Sequence, residues 1–232
     1  MGLWRDFQCN TGRTIHKWSH YFPVYERHFS SFINRPITFL EIGCGDGGSL
    51  QMWRRYLGPY AQFVGLDIRP ECKNFEGDQI QVRIGNQADT AFLDGIIAEF
   101  GVPDIIVDDG SHAMSDVCTT FSHLYRQMRS TGVYLVEDLH TAYWPQYGGG
   151  LRRQGTFIEM TKNLIDELNA DLSEGALEPT EFTRTTNAIC VYNSIVVLER
   201  GLPLPKRSLL VGSTGYFGAH PIPDAGAAQP EA

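Results

Sequence analysis

The sequence predicts an α/β protein built on a mostly parallel sheet, with helices on both faces and an antiparallel hairpin at the C-terminal edge. Three observations predict it. Five short, continuously apolar runs alternate with segments of helical spacing, as strands buried on both faces of a parallel sheet do. A glycine-rich turn joins the first run to the first helical segment after it. Near the C-terminus the alternation gives way to two strand-like runs separated only by Tyr192-Asn193.

Residues 1–20 are polar and aromatic with no clear period. Pro23 opens a helical stretch, PVYERHFSSFI, because proline suits the first helical turn. An N-terminal helical entry is expected over about 15–34. Ile37–Ile42 is the first strand and ends in Gly43-Cys44-Gly45-Asp46-Gly47-Gly48. A helix follows over Ser49–Leu57, stopped by Gly58-Pro59. Gln62–Asp67 and Ile80–Ile84 read as strands two and three. Asp89–Phe100 has helical spacing through Phe92, Leu93, Ile96 and Ile97. Asp104–Asp108 is the fourth strand. Met114–Met128 is helical, with Val117, Phe121, Leu124, Tyr125 and Met128 on one face. Gly132–Val136 is the fifth strand. Beyond the glycines at 148–150 and a helix near 156–170, Phe182–Val191 and Ser194–Glu199 form the hairpin. One domain is expected over 1–217. The Ala/Pro/Gly-rich residues 218–232 read as a disordered tail.

The 232 residues carry 19 basic and 27 acidic side chains, a net charge of −8. That balance argues against a nucleic-acid partner, which needs a basic face, and against an anionic membrane. Hydrophobic content of 42% with 20% charged residues fits a globular chain. No apolar run reaches the ~18 residues of a membrane span, and the N-terminus lacks the apolar core of a signal peptide. Five scattered cysteines without a CxxC pair are expected to be reduced thiols of a cytoplasmic protein.

Gly43, Gly45 and Gly48 satisfy G-x-G-x-x-G between a strand and a helix, where backbone can approach a ligand at a helix N-terminus. Asp67 ends the next strand and can accept hydrogen bonds from both hydroxyls of a ribose. NAD and S-adenosylmethionine (SAM) fit this pattern equally. Strand four ends in Asp108-Asp109-Gly110-Ser111-His112 and strand five in Glu137-Asp138-Leu139-His140. Ligands of a parallel sheet bind beyond the carboxyl ends of its strands, so these acids share a rim with the glycine turn. Carboxylates so close repel, and a hard divalent cation relieves the conflict. An oxygen donor set suits Mg²⁺, with Mn²⁺ or Ca²⁺ as alternatives. His112, three residues after Asp109, is the candidate general base. Tyr143 and Trp144 follow the acids directly and offer aromatic faces to a sugar ring. Tyr21 and Tyr25 are candidates to close over the cofactor, and Gly148–Gly150 to hinge a lid.

Two levels of resemblance follow from these residues. Glu41-Ile-Gly-Cys-Gly-Asp-Gly-Gly-Ser resembles the first motif of the Rossmann-like class I SAM-dependent methyltransferases. That implies SAM rather than NAD, with Glu41, Gly43, Gly45, Asp67, Gln87 and Asp108 around it. The segments HKWSHYFPVYERHF, EIGCGDGGS, VDDGSH, VEDLHTAYW and YNSIVVLERG, spanning roughly residues 15–200, resemble the metal-dependent sugar O-methyltransferases of macrolide biosynthesis. The VDDGSH and VEDLHTAYW pair is specific and the glycine turn is not. The resemblance implies Mg²⁺ on Asp109, Glu137 and Asp138, His112 as the base, and methyl transfer to a hydroxyl of a saccharide or glycosylated natural product. It implies a small sugar or glycoside acceptor as partner; a homo-oligomer is one assembly the sequence leaves open. Two other readings stay open. One is a cephalosporin-hydroxylase-like protein, separated by a product mass gain of about 16 rather than about 14, oxygenation rather than methyl transfer. The other is a catalytically silent SAM-binding assembly protein, separated by absence of turnover.

Overall fold

The central strands of the sheet contribute to two apolar layers at once, and this fixes the architecture. A computed structural model describes residues 2–202 and Lys206. In chain order the elements are α1 (Leu3–Gln8), α2 (Phe22–Phe29), β1 (Thr38–Ile42), α3 (Gly48–Leu57), β2 (Gln62–Asp67), β3 (Ile80–Ile84), α4 (Thr90–Phe100), β4 (Ile105–Asp108), α5 (Met114–Leu124), β5 (Val133–Val136), α6 (Phe157–Leu168), α7 (Glu181–Thr185), β6 (Thr186–Tyr192) and β7 (Ile195–Arg200). Phe39, Phe63, Ile105, Leu135 and Val197 pack on one face against Tyr25, Phe29 and Trp53. Leu40, Val64, Ile106, Tyr134 and Val196 pack on the other against Phe121, Leu124 and Phe157. Alternation of side chains along a strand sends neighbours to opposite faces, so apolar runs need helices on both sides.

The described residues form a seven-stranded sheet in the order β3-β2-β1-β4-β5-β7-β6. β1 to β5 are parallel, β7 is antiparallel to β5, and β6 is antiparallel to β7. Register aligns the carboxyl ends: Ile42 pairs with Leu66 and Asp108, and Asp108 pairs with Val136. Gly43, Asp67, Asp109 and Glu137 therefore leave the sheet along one edge.

Local chemistry explains the boundaries, including those the sequence misjudges. Asp89 caps α4, its carboxylate accepting from the N–H groups of Ala91 and Phe92. α2 and α5 are shorter than their patterns predict, because each tightens into a 3₁₀ turn, at Ser30–Phe32 and Tyr125–Gln127. The first strand of the predicted hairpin begins late. Thr180 and Thr183 form a reciprocal cap that winds Glu181–Thr185 into α7, and β6 starts only at Thr186. In the N-terminal segment, α1 is held by the Leu3 N–H donating 2.6 Å to Glu26. The expected tail at 218–232 lies outside the described residues. No helix among them is long and apolar enough to cross a membrane.

Residues 13–18 run as a strap across the start of α3. At Gly48 an added Cβ would lie 2.1 Å from the Thr14 carbonyl oxygen. Gly48→Ala is therefore expected to cost about 1–3 kcal/mol by forcing the strap outward. Gly95, exposed within α4 with nothing within 4 Å of an added Cβ, is the control. Gly95→Ala should stabilise by about 0.5–1 kcal/mol, since alanine loses less conformational freedom. Urea unfolding midpoints of the two variants should move in opposite directions.

Candidate active site

The glycine turn is shaped by what lies against it. Gly43 has φ +82°, and an added Cβ would stand 2.1 Å from the carbonyl oxygen of Asp109. Only glycine lets the β1 and β4 turns touch in this way. Asp67 accepts a 2.9 Å bond from the Gly45 N–H and a 3.0 Å bond from the Arg69 N–H, fixing the end of β2 to the turn. Two clefts meet here and share Gly43, Gly45, Arg69 and Asp109. One runs past Asp67, Ile68, Gly85 and Gln87. The other runs past Lys17, Trp18, His112, Glu137, Asp138 and Trp144.

Glu41 and Asp108 line neither cleft. The Glu41 carboxylate is fully buried and accepts from the Ser49 hydroxyl at 2.7 Å and the Trp53 indole N–H at 3.2 Å. Asp108 is buried and accepts from the Gln87 amide at 3.1 Å and the Tyr134 hydroxyl at 3.2 Å. The Gln87 carbonyl in turn accepts from the Ser111 N–H at 2.6 Å. Gln87 therefore shapes the cleft floor with its amide already engaged, and Asp108 supports it from beneath.

Of the three acids predicted to converge, Asp109 and Asp138 stand together with His112, whereas Glu137 meets Asp109 across Lys17, and their carboxylates have different surroundings. Glu137 is buried and accepts from the Tyr25 hydroxyl at 2.8 Å. Asp138 accepts from the Tyr21 hydroxyl at 2.6 Å. His112 Nε2 stands 3.9 Å from Asp109 Oδ1 and 3.8 Å from Asp138 Oδ2. Donor atoms of Asp109, His112 and Asp138 all lie within 4.8 Å of one another. Both His112 (φ +56°) and Asp138 (φ +54°) adopt left-handed backbone, uncommon for residues other than glycine. Such strain persists where surrounding structure holds it, often at functional sites.

The residue that sequence reasoning missed is Lys17. Its side chain is 2% exposed, and its ammonium donates 2.7 Å to Asp109 Oδ2 and 3.0 Å to each Glu137 oxygen, with Glu41 at 3.6 Å. Burial lowers a lysine pKa, but Asp109, Glu137 and Glu41 outweigh it and hold Lys17 above its ordinary value. Burial, then the Asp109 charge, push Glu137 upward against the opposing pull of Lys17 and Tyr25. The only signal for Lys17 in the sequence was indirect: an excess of rim carboxylates calls for a counter-ion without saying which.

Tyr21 and Tyr25 depart from expectation. They are fully buried beneath the acids, as hydrogen-bond donors, rather than closing over the cleft. Trp144, 43% exposed, lines the acid-side cleft with Trp18 and Tyr147, whereas Tyr143 is exposed outside that lining. His140 packs between Trp18 and Trp144, at 5.7 and 4.8 Å, and bonds Ser194 Oγ at 2.6 Å. The glycines at 148–150 form a pinned turn: the N–H of Gly149 donates to Trp144 and that of Gly150 to Ala142.

A putative rRNA methylase structure from Clostridium thermocellum, 12% identical, covers 81% of the chain and 98% of its own at a TM-score of 0.50, a likeness of fold alone. Together with the strand order and the turn after β1, this defines a class I methyltransferase fold. No protein-family model matches the chain. Mycinamicin VI 2''-O-methyltransferase of Micromonospora griseorubida is 37% identical over 221 residues, 84% of this chain and 54% of that protein. Demethylmacrocin O-methyltransferase of Streptomyces fradiae is 35% identical over 80% of this chain and 50% of its own. The structure of MycE methyltransferase with Mg, SAH and mycinamycin VI, at 34% identity, covers 86% of this chain and 53% of that one with a TM-score of 0.74. Over most of its length the chain is thus similar to sugar O-methyltransferases of antibiotic pathways. It spans about half the length of the curated relatives it matches.

Asp108 supplies a test of the scaffold under the site. Burial raises its pKa from 3.8 to about 7. The folded chain keeps this proton up to about pH 7, while the unfolded chain releases it near pH 4. Stability from this group is thus full below pH 4 and lost as pH rises to 7. Asp108→Asn cannot titrate, so its stability relative to wild type should improve between pH 4 and 7, by about 2–4 kcal/mol. Paired urea melts across that range measure the difference.

Proposed function

We propose that the chain is a SAM- and divalent-metal-dependent O-methyltransferase acting on a hydroxyl of a saccharide or glycosylated natural product. The observation that carries this reading is the meeting of two clefts at Gly43, Gly45 and Asp109, one past Asp67 and one past His112, Asp138 and the aromatic wall. Relatives that methylate sugars support the acceptor class. Free thiols at all five cysteines support a cytoplasmic protein.

The residues fit both SAM and a divalent cation. Asp67 stands at the cleft with its carboxylate already aligned by backbone N–H donors, and the Gly43–Gly48 turn precedes a helix N-terminus. Asp109, Glu137 and Asp138 would hold Mg²⁺, the cation suited to a carboxylate donor set. When bound, SAM supplies an electrophilic methyl on a sulfonium and the cation supplies Lewis acidity toward the acceptor oxygen. Asp67 would accept hydrogen bonds from the ribose hydroxyls of SAM. Trp18, Trp144 and Tyr147 border the acceptor side with faces that suit a sugar ring. His112 accepts the acceptor's proton at Nε2, with Asp109 and Asp138 close enough to stabilise the imidazolium that results. Tyr21 and Tyr25 hold two of the acids in position. Orientation of acceptor and methyl donor in one cleft provides the remaining rate.

The tests are separable. Asp67→Ala should weaken SAM binding in calorimetry by about 1.5–3 kcal/mol, the range for a lost bond to a charged group. His112→Ala should lose about 10²-fold or more in kcat while binding SAH and Mn²⁺ normally. EDTA should abolish turnover of a glycoside acceptor and largely spare SAM binding. Full turnover after chelation would remove the metal from the mechanism, and normal turnover by His112→Ala would remove the base.

A further inference from the structure

We propose that Lys17 is the resident counter-ion of the acid cluster and the direct competitor of the divalent cation for Asp109 and Glu137, so that this one side chain sets how tightly the chain holds metal. The inference rests on the metal site of the proposed function and adds a positioning residue to it.

The geometry carries the inference. Asp109 Oδ2 and both Glu137 oxygens touch the ammonium, at 2.7, 3.0 and 3.0 Å. A Mg²⁺ ion bound by both residues would stand about 2.1 Å from an oxygen of each. At Glu137 the ammonium and the metal then claim the same oxygens, at Asp109 they share one carboxylate, and two positive charges at that range repel strongly in a buried site. Lys17 also has somewhere to go. Glu41 lies 3.6 Å from Nζ, fully buried, and its other contacts are the neutral donors Ser49 and Trp53. A short swing toward Glu41 frees Glu137 while the ammonium stays paired. The strap delivering Lys17 is itself anchored, the Arg13 guanidinium donating 2.7 Å to the Phe75 carbonyl and the Thr14 backbone lying against Gly48. The ammonium is thus confined to the cluster whether or not metal is present.

The test is Mn²⁺ titration of the metal-stripped full chain, read by calorimetry or water-proton relaxation, with no turnover required. Lys17→Met removes the competitor, so its Mn²⁺ affinity should rise by about tenfold or more. Lys17→Arg keeps the charge and should lie closer to wild type than to Lys17→Met. Removing a buried counter-charge can unfold the protein, so the comparison is repeated in a Glu137→Gln background, where charge is removed from both partners. There Lys17→Met should still tighten Mn²⁺ binding, by a smaller factor, because only Asp109 is freed. Unchanged or weaker Mn²⁺ binding on Lys17→Met in both backgrounds overturns the competition while leaving the metal site intact. No Mn²⁺ binding by wild type and every variant overturns the metal site and the competition together.

Discussion

Gathering carboxylates at one edge of a sheet is the constraint on which the rest of this structure depends. Glu41, Asp109, Glu137 and Asp138 stand where parallel strands end, and the first and third are buried. Two like charges 4 Å apart repel by about 4 kcal/mol even at an effective dielectric constant of 20. The fold answers with one buried ammonium and a set of neutral donors: Tyr25 for Glu137, Tyr21 for Asp138, and Ser49 with Trp53 for Glu41. Truncating one partner of such a set leaves another group buried and unpaired, which costs more than the bond itself is worth.

This explains the role of the N-terminal segment. α2 presents the Tyr25 hydroxyl to Glu137 and packs Phe29 on Trp53 and Phe39, so one helix serves both the site and the core. The strap before it brings Lys17 over the start of α3, and Gly48 is the residue that lets the backbones approach. Charge neutralisation, core packing and the roof of the cleft are therefore coupled through residues 13–29.

The same economy holds on the other side of the turn. Asp108 supports Gln87, Gln87 holds the Ser111 N–H, and the Asp109 carbonyl rests against Gly43. The left-handed backbone at His112 follows directly on Ser111 in this network, and that at Asp138 is braced by Thr141, whose N–H and hydroxyl both donate to the Asp138 carbonyl. His112 faces the two acids from that strained turn at 3.8–3.9 Å, beyond direct hydrogen bonding, leaving Nε2 available to a ligand between them.

The sequence alone determined the sheet, because uninterrupted apolar runs between helical patterns have few other ways to be buried. It also determined which rim the acids occupy, since Asp67 ends a strand and Asp109 and Glu137 each follow one by chain position alone. It misjudged Phe182–Thr185, where a local hydrogen-bonded cap outweighs strand propensity, and Tyr21 and Tyr25, whose hydroxyls found carboxylates more than a hundred residues away. Lys17 was beyond its reach for the same reason. A lysine's place is set by long-range Coulomb demand, and that demand exists only after β1, β4 and β5 have brought their acids together. Periodicity records what each residue does next to its neighbours; which charge answers which is decided by the tertiary structure that closes the distance.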